Sequence, residues 1–243
     1  MATLTLDSPH NRNALSGALI GQLLDALGTA SADDRTRVIV LSHTGPVFCS
    51  GADLKETAQA TGPIPAARMG EVLAAIWESR KPVVARVGGP ARAGGLGLIA
   101  AADIAVCAIE ATFAFTEVRL GVIPAVISAT VLRRLHARAA AELYLTGEVF
   151  DGTRAAAAGL VTAAVPAADL DATVEAYVAA LVRGAPGALA GTKALLRRSP
   201  VVTVADDVAE LTALSVGYFG SPEGIEGISA FREKRDPSWL PAD

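Results

Sequence analysis

Short apolar runs punctuate the chain and predict a set of buried strands. Residues 3–6 alternate between polar and apolar side chains, whereas residues 38–41, 83–87 and 104–109 are almost continuously apolar. Continuous apolar runs are typical of parallel strands, because both faces of such a sheet are covered. Three further extended segments are predicted at residues 47–49, 113–115 and 160–161.

Apolar residues at helical spacing lie between these runs. Two amphipathic helices are predicted by the sets Ile20, Leu23, Leu24 and Leu27, and Met69, Val72, Leu73, Ile76 and Trp77. A short helix is expected to follow the glycine-rich residues 88–97, and another to carry Val131, Leu132 and Leu135 after a loop at residues 117–124. The repeated strand-strand-helix order predicts an α/β fold with a mostly parallel sheet.

Beyond Gly159 the pattern becomes mostly helical. Apolar faces recur at Leu170, Val174, Val178 and Leu181, and again at Val208, Leu211 and Ser215. We therefore expect an α/β core over residues 1–185 and a helical region over residues 186–243.

Composition narrows the function classes. The 243 residues are 51% hydrophobic, enough for one large core or two modest ones, and the net charge is −4. Since no basic cluster or long apolar run is present, neither nucleic acid nor a membrane is an expected partner. Cys49, Cys107 and the three histidines lack metal-ligand spacing, so no metal is expected, and a reducing cytoplasm is the expected location.

Two glycine turns follow predicted strands. Ser50-Gly51-Ala52 and Ala93-Gly94-Gly95 each precede a helix start, where backbone N–H groups point toward an anion. Two such donors would stabilise the oxyanion of an enolate. Tight turns without function are the alternative interpretation.

A second alternative at the glycine-rich stretch is a dinucleotide site. Residues 95–100 fit the G-x-G-x-x-A fingerprint. That fingerprint places its first glycine directly after the strand and an acidic residue about 20 positions later. Here six residues separate Val87 from the glycines, and Glu110 follows Gly95 too closely. The context therefore argues against a dinucleotide.

Glu117 is the candidate acid or base. It follows the aromatic-flanked segment Phe113-Ala114-Phe115 and precedes a hydrophobic stretch interrupted by Arg119. Apolar surroundings disfavour the ionised carboxyl group, which suits proton transfer near neutral pH. An exposed Glu117 paired with Arg119 is the alternative interpretation.

Six motifs in order resemble the enoyl-CoA hydratase/isomerase (crotonase) family. They span nearly the whole chain. They are Asn11-Arg12-Asn13-Ala14-Leu15, Phe48-Cys49-Ser50-Gly51-Ala52-Asp53-Leu54, Lys81-Pro82-Val83-Val84-Ala85, Thr146-Gly147, residues 156–161, and residues 226–235 with the sequence EGISAFREKR.

The resemblance implies a ClpP/crotonase-type spiral of ββα units with a C-terminal helical trimerisation region. It implies that the N–H groups of Ser50 and Gly94 form the oxyanion hole and that Glu117 is a catalytic carboxylate. Coenzyme A enters as part of the substrate, with no separate cofactor. Implied substrate or CoA contacts are Arg12, Ala14, Ala52, Asp53, Leu54, Lys55, Gly95, Arg119, Phe231 and Lys234, the last two reaching a neighbouring subunit's CoA. Arg12 and Lys55 are read as phosphate contacts or as solvated charges.

One position departs from the two-glutamate members of this family. Gly97 stands where they carry a second glutamate, so two-carboxylate activation of water is in doubt. Residues 92–98 and 116–128 resemble the methylglutaconyl-CoA-like branch, in which a single glutamate is found. Arg119 is a candidate contact for a second substrate carboxylate.

Several activities remain open from the sequence. The expected activity is enoyl-CoA hydration with Glu117 as acid/base. The alternatives are Δ3,Δ2-enoyl-CoA isomerisation, decarboxylation, and a non-catalytic acyl-CoA-binding role. The resemblance also implies a homotrimer or a dimer of trimers. Residues 56–67 are expected to border the acyl pocket.

Overall fold

Five parallel strands form the main sheet of the protein. The computed structural model describes residues 1–59, 68–199 and 203–240. Strands β1 (Ala2–Leu6), β2 (Ile39–His43), β3 (Val83–Val87), β5 (Ile104–Ala108) and β8 (Ala163–Val165) lie side by side in that order, and each neighbouring pair is parallel. The predicted parallel α/β fold is thereby confirmed.

A second, three-stranded sheet carries part of the candidate site. Strand β6 (Thr112–Ala114) pairs in parallel with β4 (Ala91–Arg92) and antiparallel with β7 (Phe150–Asp151). The crotonase-type succession of strand pairs and helices is therefore present, since β3-β4-α4 and β5-β6-α5 repeat one pattern.

Helices cover the sheets and make up the C-terminal region. Their bounds are α1 Gly17–Ala32, α2 Leu54–Gln59, α3 Met69–Glu78, α4 Gly94–Ala101, α5 Ala125–Val131, α6 Ala137–Thr146, α7 Gly152–Ala157, α8 Leu170–Val182, α9 Pro186–Leu195, α10 Val204–Phe219 and α11 Pro222–Glu233. None of the described helices combines the length and apolar character that crossing a bilayer requires.

The main core lies between the two sheets and helices α1, α3 and α4. Helix α4 is buried all round, which fits its composition of glycine, alanine, leucine and isoleucine. A smaller cluster fills the other face of the main sheet, where Val84 and Val106 pack against Leu170 and Val174 of α8.

Some predicted elements are wrong in detail. Residues 160–161 are not a strand; the last strand begins at Ala163, one turn after α7. Helix α5 ends at Val131, so Leu132 and Leu135 lie in the following turn. The predicted loop at residues 117–124 contains a 3-10 turn at Glu117–Leu120.

The boundary between core and helical region stays a prediction. Helix α9 begins at Pro186, next to the predicted boundary, but its Lys193 donates to the carbonyl oxygen of Lys81 at 2.9 Å in the core. The expected acyl-pocket border falls partly on residues 60–67, which lie outside the described residues.

Candidate active site

The two glycine turns meet in space. Arg92 N–H donates to the carbonyl oxygen of Cys49 at 2.9 Å, which joins the strands that precede the turns. Gly51 has φ +92°, a conformation that favours glycine, and a Cβ there would lie 3.0 Å from the Ala93 Cβ. A Cβ on Gly94 would lie 3.9 Å from the Gly51 Cα and 2.7 Å from a Leu15 methyl group. The close approach leaves no room for larger residues.

The two predicted oxyanion donors differ in their hydrogen bonding. Gly94 opens helix α4, and within the described part of the chain its N–H has no acceptor. The Ser50 N–H donates to the carbonyl oxygen of Arg12 at 3.1 Å. Arg12 itself has φ 59° in the left-handed region. The roles of both donors stay predictions: the Gly94 N–H is unpaired among the described residues, whereas the Ser50 N–H requires its bond to Arg12 to open or be shared.

Glu117 carries an unsatisfied carboxyl oxygen. It opens the 3-10 turn after β6, and its backbone oxygen accepts from Val122 at 3.1 Å. Its Oε2 is buried and has no hydrogen-bond partner in the described structure. Burial raises the pKa of Glu117 above that of an ordinary glutamate, because desolvation disfavours the charged form. A carboxyl group in this state is suited to exchange protons with a ligand.

Arg119 does not pair with Glu117, so the ion-pair interpretation of Glu117 is wrong. Arg119 Nη2 donates to Glu148 at 2.5 Å, and Arg119 Nε and Nη2 both donate to the carbonyl oxygen of Thr146 at 3.2 Å. Only Nη1 has no acceptor among the described residues. Contact between Arg119 and a substrate carboxylate stays a prediction.

The position of Gly97 is closed by packing. A Cβ there would lie 2.6 Å from Ile127 Cγ2 and 3.3 Å from Leu73 Cδ2. Ile127 is buried on α5, and Thr130 of the same helix donates to the Gly97 carbonyl oxygen at 3.2 Å. The second carboxylate is therefore not merely missing, because its space is filled by a hydrocarbon side chain.

The predicted CoA contacts of the N-terminal half surround the glycine turns. Leu15 N–H donates to Gly51 O at 2.8 Å, which brings the first motif beside the second. The Asp53 side chain is occupied locally, since its Oδ1 accepts from the N–H groups of Lys55 and Glu56 at the start of α2. The other predicted CoA contacts that lie beside the glycine turns are Arg12, Ala14, Ala52, Leu54 and Gly95.

Phe231 and Lys234 lie apart from this group within the chain. Both belong to the end of α11, which packs on α9 and α10, and Phe231 is 87% exposed. Lys234 closes the helix with φ 54°. Their predicted role toward a neighbouring subunit is untested.

Sequence reasoning missed the pairing of two hydroxyl groups on α5 and α6. The ring of Tyr144 on α6 packs against Phe115 with 4.4 Å between centroids and a tilt of 39°, and its oxygen lies 3.4 Å from Ser128 Oγ. Ser128 ends the stretch 116–128 that resembles the methylglutaconyl-CoA-like branch, but its contact with Tyr144 joins two helices and no motif indicates it.

The two cysteines are buried free thiols. Burial raises the pKa of Cys49 and of Cys107 to about 12, which keeps both thiols protonated. Among the described residues, no group of three histidine, cysteine, aspartate or glutamate side chains is placed to hold a metal ion.

Comparison with known proteins identifies the family. The profile described as Enoyl-CoA hydratase/isomerase matches residues 1–241. The chain belongs to the enoyl-CoA hydratase/isomerase family. Members of this family act on acyl-CoA thioesters.

Individual relatives match over almost their whole length. The 2,3-dehydroadipyl-CoA hydratase of Escherichia coli strain K12 is 32% identical, covering 97% of this chain and 93% of the relative. The solved structure of Pseudomonas aeruginosa AtuE is 34% identical with a TM-score of 0.91, covering 98% and 95%. An enoyl-CoA hydratase structure from Mycobacterium avium is 46% identical with a TM-score of 0.73, covering 98% and 93%.

Proposed function

We propose that this protein is an enoyl-CoA hydratase, which adds water reversibly across the 2,3 double bond of an enoyl-CoA thioester. The observation that carries the proposal is the buried, unpartnered Oε2 of Glu117 in a member of this family. The relatives named as hydratases support the same reaction.

The thioester oxygen is proposed to bind at the open N–H of Gly94. The positive end of helix α4 and the donor then stabilise the enolate, an interaction worth about 3 to 4 kcal/mol when one such donor is removed. Ser50 would supply the second donor once its bond to Arg12 opens. Glu117 takes a proton from water as oxygen attacks C3 and delivers a proton to C2, so the carboxyl group ends in its starting state.

The CoA portion is proposed to lie along the first two motifs. The side chains of Arg12 and Lys55 are exposed, and neither has an ion-pair partner among the described residues, which leaves both charges available to phosphate groups. For the acyl portion we propose a branched or carboxylated chain. The relative named for 2,3-dehydroadipyl-CoA supports this class.

A homotrimer or dimer of trimers is proposed as the assembly. No described residue of α10 is buried within the chain, although Val208, Val216 and Phe219 are large apolar side chains on it. An assembly that covers α10 and α11 would bring Phe231 and Lys234 to a neighbouring site. A cytoplasmic location also stays a prediction.

Isomerisation of a 3-enoyl-CoA is a second candidate. The closed position at Gly97 favours it, because moving a proton between two carbons requires one carboxylate and no water.

Product analysis separates the two candidates. The purified protein is incubated with crotonyl-CoA, 3-methylglutaconyl-CoA and a 3-enoyl-CoA, and absorbance of the conjugated thioester and product mass are followed. A product mass increased by one water, formed by wild type but not by Glu117→Gln, supports hydration. Conversion of only the 3-enoyl substrate, with no change in mass, supports isomerisation. Glu110→Gln, which alters an exposed carboxylate between β5 and β6, is the control and should keep full activity.

A further inference from the structure

The attacking water of a hydratase needs two hydrogen-bond acceptors. One takes the hydrogen that leaves as a proton, and the second holds the other hydrogen so that an oxygen lone pair points at C3. Glu117 supplies the first acceptor in the proposed function, on which this inference rests. A carboxylate at position 97 is excluded by Ile127 and Leu73, so the second acceptor must come from elsewhere.

Helix α5 carries both Ile127, which fills the space beside Gly97, and a hydroxyl group at the next position. The residue after Ile127 is Ser128, whose Oγ lies 2.6 Å from the carbonyl oxygen of Pro124 and 3.4 Å from Tyr144 Oη. Helix α6, which carries Tyr144, contacts the 3-10 turn Glu117–Leu120. Burial raises the pKa of the Tyr144 phenol, the contact with Ser128 lowers it, and the charge of Glu117 raises it. The ring is fixed by its contact with Phe115, two residues before Glu117.

The hydrogen bonds of this pair have one consistent direction. The Ser128 hydroxyl has a single hydrogen, and the short distance to Pro124 O shows that the hydrogen is used there. With that hydrogen used, Ser128 Oγ can act toward Tyr144 Oη, 3.4 Å away, only as an acceptor of the Tyr144 hydrogen. A lone pair on Tyr144 Oη is left to accept from another donor.

We propose that Tyr144 is a catalytic residue that accepts one hydrogen of the attacking water, and that Ser128 is the positioning residue that directs it. The water donates its other hydrogen to Glu117, forms its bond to C3 and transfers that proton, while C2 gains a proton from Glu117. The retained hydrogen stays on the new hydroxyl group, so the product differs from the substrate by one water.

The test compares Tyr144→Phe with wild type in two assays. Hydration of crotonyl-CoA requires the water, whereas exchange of the α-protons of butyryl-CoA in deuterated water requires Glu117 but no attack on C3. We expect the kcat of hydration to fall at least about tenfold, the effect of one hydrogen bond to a reacting group, with KM and the exchange rate unchanged. Tyr177→Phe is the matched control and should hydrate normally, because Tyr177 packs against the smaller apolar cluster on the other face of the main sheet.

Ser128→Ala gives an independent readout. Without its acceptor, the Tyr144 O–H is free to donate toward Glu117, and a donor to the charged form lowers a carboxyl pKa. The acidic limb of the pH–rate profile should therefore move to lower pH in Ser128→Ala and not in the double variant with Tyr144→Phe.

Each outcome bears on a different claim. Unchanged hydration by Tyr144→Phe, or an equal loss of hydration and exchange, would overturn the role of Tyr144 and leave the proposed function intact. Absence of hydration by the wild-type protein would overturn the proposed function and, with it, this inference.

Discussion

Packing at Gly97 can be tested by its effect on stability. In Gly97→Ala the new methyl carbon would lie 2.6 Å from Ile127 Cγ2, about 1 Å inside an ordinary carbon contact. Overpacking of this kind costs about 1 to 3 kcal/mol, while alanine in place of glycine inside a helix gains about 1 kcal/mol. The net expectation is a loss of about 1 kcal/mol in the free energy of unfolding.

The same substitution should change sign when Ile127 is shortened. Ile127→Ala alone should cost about 2 to 5 kcal/mol through the cavity it leaves. In that background the clash with Cγ2 is removed, while the Cβ of residue 127 at 3.1 Å and Leu73 Cδ2 at 3.3 Å remain close, so Gly97→Ala should stabilise by at most the helix gain of about 1 kcal/mol. The two residues should therefore show a coupling energy of about 1 to 2 kcal/mol in a double-mutant cycle.

Equilibrium urea unfolding at one fixed protein concentration measures this coupling, because assembly makes stability depend on concentration. Gly28→Ala is the control: it lies in α1 with no atom within 4 Å of the added carbon, so it should stabilise both backgrounds equally. An equal effect of Gly97→Ala in both backgrounds would show that Ile127 does not close the position.

Three further predictions follow from the electrostatics and the exposed helices. The pKa of Glu117 is raised in the folded state, so the folded chain keeps a proton above the ordinary glutamate pKa of 4.5 and loses stability as pH rises toward the folded pKa. Glu117→Gln should therefore be more stable than wild type in thermal melts at pH 8 and lose that advantage near pH 4. A difference that does not depend on pH would contradict the burial argument. Asp103 binds Lys193, which is 6% exposed, and Arg197, both at 2.6 Å, so Asp103→Ala should lower the free energy of unfolding by about 3 to 5 kcal/mol. The control Asp171→Ala removes the exposed partner of Arg86 and should cost less than about 1 kcal/mol. Equal losses in urea titrations would refute the distinction between buried and exposed ion pairs. Sedimentation should give three or six times the chain mass of 24.7 kDa, and a monomer at micromolar concentration would refute the proposed assembly.

The strands of the main sheet could be predicted because burial on both faces leaves a clear signal. The run at residues 83–87 coincides with β3 residue for residue. Helix α6 was not predicted, since its buried positions include Ala139 and Ala140, and alanine gives little contrast between a buried and an exposed face. Periodicity therefore detects only elements with large side chains on one face.

Glu117 could be selected as the candidate acid or base from its neighbours in the sequence, but the contacts around it could not be predicted. Glu117 and Arg119 are two positions apart, yet the arginine binds Glu148, which lies 29 positions away. The approach of Tyr144 and Ser128 depends on how α5 and α6 pack, and no local pattern encodes that distance. Side-chain pairings of this kind are fixed by tertiary packing.

The order of strands in the main sheet has a consequence for synthesis on the ribosome. Strands β1, β2, β3, β5 and β8 occupy the sheet in the order in which they leave the exit tunnel, so each new strand can add to an edge that already exists. One pair of hydrogen bonds requires residues far along the chain to have emerged. Arg37, just before β2, donates to the carbonyl oxygens of Gly184 and Trp239, both at 2.7 Å. The hydrogen bonds of this early residue therefore depend on a residue 202 positions later. The strand order therefore permits the sheet to grow as the chain emerges, whereas the Arg37 contacts can form only after residue 239 is available.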